Sequence, residues 1–195
     1  SAFVNLFNDG DNINKEFKIQ EGLKTGLNER FIKYWFELSF NADWIPHTKG
    51  GENRKWYGNN LNKLKFDDTL LNFKGSSIPK IDLESDYATW GRISSGDISF
   101  RYTFSGSIPN MAGLAAYSIN NNEAALKNLI AVGNSLIGKY VFNLLNPTLN
   151  YPPGVVKKLP ILELNREIEK LVDDNIQISK THWDLSELSP DHRRI

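Results

Sequence analysis

Asn53, Arg54, Lys55, Asn59 and Asn60 crowd into one run of thirteen residues, TKGGENRKWYGNN (48–60). An arginine fork matches a phosphate or the O6/N7 edge of guanine, and an asparagine amide pairs bidentately with the N6/N7 edge of adenine. Gly50, Gly51 and Gly58 let backbone N–H groups approach an anion, and Trp56-Tyr57 offer flat faces. By residue type alone the run could be a nucleic-acid contact, a sugar-binding rim or a solvated turn. Lys49 at its start, and Arg92, Ser94, Ser95, Arg101 and Thr103 in a later polar-aromatic segment, could add contacts of the same kind. Lys157 and Lys158, beside the Pro152-Pro153-Gly154 corner, fit a backbone phosphate or a solvated turn equally well.

No self-sufficient catalyst is legible. The chain has no cysteine, which excludes disulfides, thiolate metal sites and cysteine nucleophiles. His47, His182 and His192 show no metal-ligand spacing, so no metal site is expected. Lys49-Gly50-Gly51 is not a P-loop, and neither a dinucleotide fingerprint nor a Gly-x-Ser-x-Gly elbow occurs. Asp67-Asp68 and Asp173-Asp174 sit in polar contexts that suit exposed acids better than acid–base pairs. No catalytic or cofactor-binding residue is assigned, and the chain reads as a binding module.

The elements that must position these residues are unevenly marked. The 48–60 run lacks helical or strand periodicity and reads as a loop. Upstream, the aromatic run Phe31 to Phe40 favours a strand, with Phe31, Tyr34, Trp35 and Phe36 expected in the core, and Asn8-Asp9-Gly10 has turn chemistry. Ile98, Phe100, Tyr102 and Phe104 alternate with Ser99, Arg101, Thr103 and Ser105, which predicts a half-buried hairpin over 90–104 with its turn at Ser95-Gly96-Asp97. After Pro109 the period becomes helical. The spacing predicts a well-buried helix from Asn122 to Leu144, led by a capping box of Asn120 and Glu123, with Gly133 and Gly138 admitting another backbone. A second helix over Glu163 to Ile178 carries a stripe of Leu164, Ile168, Leu171, Val172 and Ile178. Strands before helices predict an α+β fold: a mostly antiparallel twisted sheet or partial barrel over 20–118, followed by two C-terminal helices.

Composition agrees with a folded globule, at 40% hydrophobic and 12% aromatic over 195 residues. The formal net charge of zero hides a segregation: residues 24–65 carry eight Lys/Arg against four Asp/Glu, and 163–195 carry five against eight. One basic face is therefore compatible with a neutral total. No apolar run approaches the roughly 20 residues a bilayer span needs, and no signal peptide or usable glycosylation sequon is visible, so a cytoplasmic setting without membrane contact is expected. Ser1-Ala2 without an initiator methionine reads as a cloning remnant on an excised piece of a longer chain.

Three stretches in fixed order resemble one family. EGLKTGLNERF (Glu21 to Phe31) resembles the opening of the specificity domain behind TaqI-like and combined restriction–modification adenine-specific DNA methyltransferases. KGGENRKWYGNN (Lys49 to Asn60) is similar to a run in the large methyltransferases (PglX) of BREX phage-defence systems, as are LLNPTLNYPPGVVKKLPI and ISKTHWDLSELS further on. The resemblance implies a target recognition domain over 21–160, preceded by a lead-in (1–20) and followed by a helix with an acidic tail (161–195). Gly22, Thr25, Gly26, Asn28 and Phe31 fill the first motif, and Arg54 to Asn59 fill the second. The DNA-contacting set so implied is Lys24, Thr25, Asn28, Arg30, Lys49, Asn53, Arg54, Lys55, Tyr57, Asn59, Asn60, Arg92, Ser94, Ser95 and Arg101, with Trp56 more an anchor than a reader. Asn146-Pro147-Thr148-Leu149 and Tyr151-Pro152-Pro153-Gly154 both depart from the Asn/Asp-Pro-Pro-Tyr/Phe adenine site. Methylation, and S-adenosylmethionine as cofactor, are thus expected of a separate catalytic domain of the parent chain. The implied partners are double-stranded DNA, that domain and other phage-defence proteins. The alternatives are a protein-interaction module of a phage-defence complex, docking through the 163–178 helix and its acidic tail and marked by an exposed apolar patch on the helices, and a carbohydrate-binding domain.

Overall fold

The computed structural model describes residues 12–39, 43–94, 96–146, 148–160 and 165–192. A first helical turn, α1 (Asn12–Glu16), runs directly into β1 (Phe17–Gln20). There follow α2 (Asn28–Phe31), β2 (Ile32–Tyr34), β3 (Trp44–Thr48), β4 (Asn62–Lys65), α3 (Asp68–Leu71), β5 (Tyr87–Gly91), β6 (Arg101–Thr103), β7 (Ile108–Pro109) and β8 (Gly113–Ser118). The helical part comprises α4 (Glu123–Asn134), α5 (Leu136–Leu145), α6 (Pro153–Val156) and α7 (Arg166–Asp184). The fold is α+β, but the strands form two sheets where a single sheet or partial barrel was expected. One has the order β1-β8-β5-β6 and is antiparallel throughout; the other has the order β2-β4-β3-β7, with only β3 and β7 parallel.

β8 explains the larger core. Its sequence GLAAYS is buried at every position, because small alanines allow close cover on both faces. Leu114 and Ala116 face the main core with Ile19, Ala88 and Trp90, under Leu126, Leu129 and Ile130 of α4. Ala115 and Tyr117 face the other way and pack with Tyr87. The second sheet has its own cluster of Leu23, Phe31, Ile32, Leu64, Leu70 and Ile108. The two sheets meet where Gly50 passes Gly113: a Cβ on Gly50 would lie 2.7 Å from the Ala112 carbonyl oxygen, and one on Gly113 2.7 Å from that of Thr48.

Several local expectations are corrected. Among the described residues of the run Phe31 to Phe40, only Ile32–Tyr34 is strand and Trp35–Glu37 is a 3₁₀ turn; Phe31 is in the core, whereas Tyr34 and Phe36 are about half exposed. The helix expected over 122–144 is two helices. Ser135 breaks it, its Oγ donating to the Val132 carbonyl (2.7 Å) and accepting from the Gly138 N–H (3.0 Å). The N-cap is Asn122, whose Oδ1 accepts from the Ala125 N–H, not Asn120, which sits at φ 62°. Only α4 is well buried; Leu136, Ile137, Tyr140 and Leu144 of α5 face outward. The last helix begins at Arg166, capped by Asn165, and buries Val172, Ile176 and Trp183, while Leu171 and Ile178 are exposed. The Asn8-Asp9-Gly10 turn and Leu164 lie outside the described residues.

Candidate functional site

The 48–60 run connects β3 to β4 as a loop, as its composition implied, but a heavily fastened one. The Trp56 N–H donates to the Phe100 carbonyl and the Trp56 carbonyl accepts from the Tyr102 N–H, both at 2.8 Å, so one residue of the loop pairs with β6 as a strand would. Trp56 does so at φ 73°, a conformation that costs a bulky residue about 1–2 kcal/mol and that the surrounding bonds must hold. Asn59, at φ 64°, turns its amide inward to donate to the Glu52 carbonyl (2.8 Å) and the Gly50 carbonyl (3.4 Å). Tyr57 is buried; burial raises its hydroxyl pKa, and the hydroxyl accepts from Asn60 Nδ2 at 3.2 Å.

The cations of the loop are tethered as well. Lys55 Nζ donates to the Asn134 carbonyl at 2.8 Å, at the negative end of α4. The Arg54 guanidinium lies 4.8 Å above the Trp183 ring, joining the loop to the end of α7. Asn53 is exposed and its amide donates to the Asp97 carbonyl at 2.8 Å. Lys49 is half-buried. Asn53, Arg54 and Lys49 therefore present the accessible chemistry of the loop, and Asn59 and Tyr57 hold its shape.

The opening motif is divided: Gly22, Leu23, Thr25 and Phe31 are buried, and the rest of it is exposed. Thr25 is buried and its hydroxyl donates to Asn28 Oδ1 at 2.6 Å, which consumes the turn chemistry of both residues. Lys24 and Arg30 are exposed, and the Arg30 guanidinium covers the Phe31 and Phe73 rings at 5.2 and 5.7 Å. This motif and the loop converge on one segment: Leu23 N–H donates to the Pro109 carbonyl (2.7 Å), and Asn110 N–H donates to the Thr48 carbonyl (2.9 Å). Arg92 joins them there through an ion pair with Glu21.

β5 and β6 pair antiparallel, but through Tyr87–Thr89 against Arg101–Thr103, so the hairpin starts earlier than the expected 90–104, and its second face is not open. Arg101 and Ser99 are buried, because the loop main chain covers that side; Thr103 is half-buried. Arg101 Nη2 donates to the Gly50 carbonyl at 2.7 Å, and burial draws its pKa down to about 10. Ser94 Oγ donates to the Asp97 carbonyl at 3.0 Å; Ser95 lies outside the described residues. Lys157 is half-buried and Lys158 exposed. Sequence reasoning missed Asn134, Trp183 and His47, which fasten the loop or its flanks from more than 60 residues away in chain order or from within a strand. No local spacing advertises such contacts.

Among the described residues no group of three His, Cys, Asp or Glu could hold a metal ion, and no helix is long and apolar enough to cross a membrane. No protein-family model matches the chain. What it does match is a domain of adenine-specific methyltransferases. It is 32% identical over 182 residues to the adenine-specific methyltransferase BrxX of Escherichia coli O9:H4 (strain HS), covering 87% of this chain and 15% of that protein. It is 26% identical over 196 residues to the adenine-specific methyltransferase PglX of Lacticaseibacillus casei (strain Zhang), covering 87% of this chain and 16% of that protein. The chain thus spans about one sixth of the length of the relatives it matches.

Proposed function

We propose that this domain reads duplex DNA for an adenine-specific methyltransferase of a phage-defence or restriction–modification system, acting in the cytoplasm. The observation that carries the reading is the match across 87% of the chain to two adenine-specific methyltransferases, with the fastened 48–60 loop inside it. Asn53 and Arg54 are its readers, Lys49, Lys24 and Arg30 its phosphate contacts, and Asn59 and Tyr57 the frame that holds the readers in place. Methyl transfer belongs to the catalytic domain of the parent, which would supply the S-adenosylmethionine site; the residues here offer none of the motifs for either. Binding to duplex DNA should weaken with salt at a log–log slope of about −0.9 per phosphate contacted. Lys49→Ala should flatten that slope by about one contact on every sequence, whereas Asn53→Ala in the full-length parent should change which sites are methylated. Identical methylated sites in wild type and the Asn53 and Arg54 alanine variants would remove the loop from the reading role.

A second role has its own observation. Leu136, Ile137, Tyr140 and Leu144 expose 85%, 55%, 60% and 59% of their surface along one side of α5. Such a face marks a docking surface. Its occupant is the remainder of the parent protein, since the matched domain is a small part of each relative. In the full-length protein, α5 amides should exchange more slowly than in this chain alone, and Leu136→Lys should abolish the difference. Equal exchange in both contexts would exclude this role.

A further inference from the structure

Beside the 48–60 loop lies a cavity of about 100 Å³, walled by residues 51–53 on one side and by Ser94 and Ser99 on the other, and lined by Arg101. Arg101 is 1% exposed and has no salt bridge with any carboxylate among the described residues. Two of its five N–H donors reach carbonyls, those of Gly50 at 2.7 Å and Arg54 at 3.4 Å, and its Nε has no partner. The charged side chain acting on it is Arg54, which repels it. A buried cation without a counter-ion costs several kcal/mol, and an unmade buried N–H adds to that cost. The fold nevertheless seats it where the loop main chain and two serine hydroxyls leave room for a small group. The acid on the wall, Glu52, is exposed and free to turn toward solvent.

We infer that this cavity receives a phosphate group, supplied by the backbone of bound duplex DNA, with Arg101 as the buried counter-charge. The inference rests on the DNA-reading function proposed above and assigns Arg101 a part different from that of Asn53 or Arg54. A phosphate held from within the fold fixes the register of the duplex against the loop and carries no sequence information. A guanidinium suits this because its fork matches phosphate oxygens and its charge persists when buried. Ser99 stands beside it as a neutral donor, while the Ser94 hydroxyl on the same wall already donates to the Asp97 carbonyl.

The test follows the Arg101 Nε–H resonance of the chain, assigned by its disappearance in Arg101→Lys, during titration with inorganic phosphate and then with duplex DNA. Saturable shifts of that resonance with both ligands are expected, and Glu52→Gln, an exposed substitution, should tighten phosphate binding at least about twofold by removing a like charge. A shift with inorganic phosphate and none with DNA, while Asn53 and Lys49 respond to DNA, means an adventitious ion only and overturns the inference. An Arg101 resonance unmoved by either ligand while the loop responds to DNA means a hydrated cavity and overturns the inference, leaving DNA reading intact. DNA that moves no resonance anywhere removes both.

Discussion

Asn134→Ala should lower the stability of the fold by about 2–4 kcal/mol, seen as a lower urea midpoint at unchanged m. The Asn134 side chain is buried and completes a strand-like pair with Phe100, its Oδ1 accepting from the Phe100 N–H and its Nδ2 donating to the Phe100 carbonyl, both at 2.9 Å. The carbonyl also accepts from the Trp56 N–H and survives the substitution with one partner. The Phe100 N–H has no such reserve and would be left buried and unpaired, which alone costs about 1–3 kcal/mol. The Lys55 tether reaches the Asn134 main chain and persists, so the loss reports the amide and not the lysine. A change under about 1 kcal/mol would mean that water takes the place of the amide and that Phe100 is not held from this side.

Acidification should destabilise the chain well above the carboxylate range, through His47. Its Nδ1–H donates to the Ile108 carbonyl at 2.7 Å and its Nε2 accepts from Asn110 Nδ2 at 3.1 Å, an arrangement that suits the neutral ring. Burial, with Lys49 repulsion adding and the Ile108 bond opposing, lowers its pKa from 6.5 to about 4. Between those values the unfolded chain binds the proton and the folded chain does not, so stability is complete above about pH 6.5 and falls as pH drops toward 4. At 1.36 kcal/mol per unit the loss approaches about 3 kcal/mol. Asp67 and Asp82, held below their usual 3.8 against desolvation by hydrogen bonds from Leu70 and Ser85, give up their stabilisation only at lower pH. Urea unfolding at pH 7 and 4.5 checks this: wild type should lose far more between the two than His47→Asn, and equal losses would exclude the histidine.

Elements with strong local marks were legible in the sequence. The α+β order, the loop over 48–60 and a helix starting near residue 122 needed only spacing and turn residues. The division into two sheets was not legible, because β2, β4 and β7 have three, four and two residues, too few to show a period. Arg101 shows a different limit. Strand alternation places it correctly opposite Phe100 and Tyr102, but alternation assigns a face and says nothing of what covers it. Here the cover is the main chain of residues 50–56, a loop between two strands of the other sheet. The same limit applies to α5, whose apolar composition reads as burial although no element among the described residues covers its outer side.

The two main-chain bonds of Trp56 have a consequence for the behaviour of the chain at high concentration. β6 ends its sheet, and a bare terminal strand templates the addition of a second molecule. Trp56 occupies the N–H of Tyr102 and the carbonyl of Phe100, and its left-handed φ turns the loop away before a longer ribbon can form. The loop proposed to meet DNA is also a stopper against self-assembly, and changes that loosen it trade recognition and solubility together.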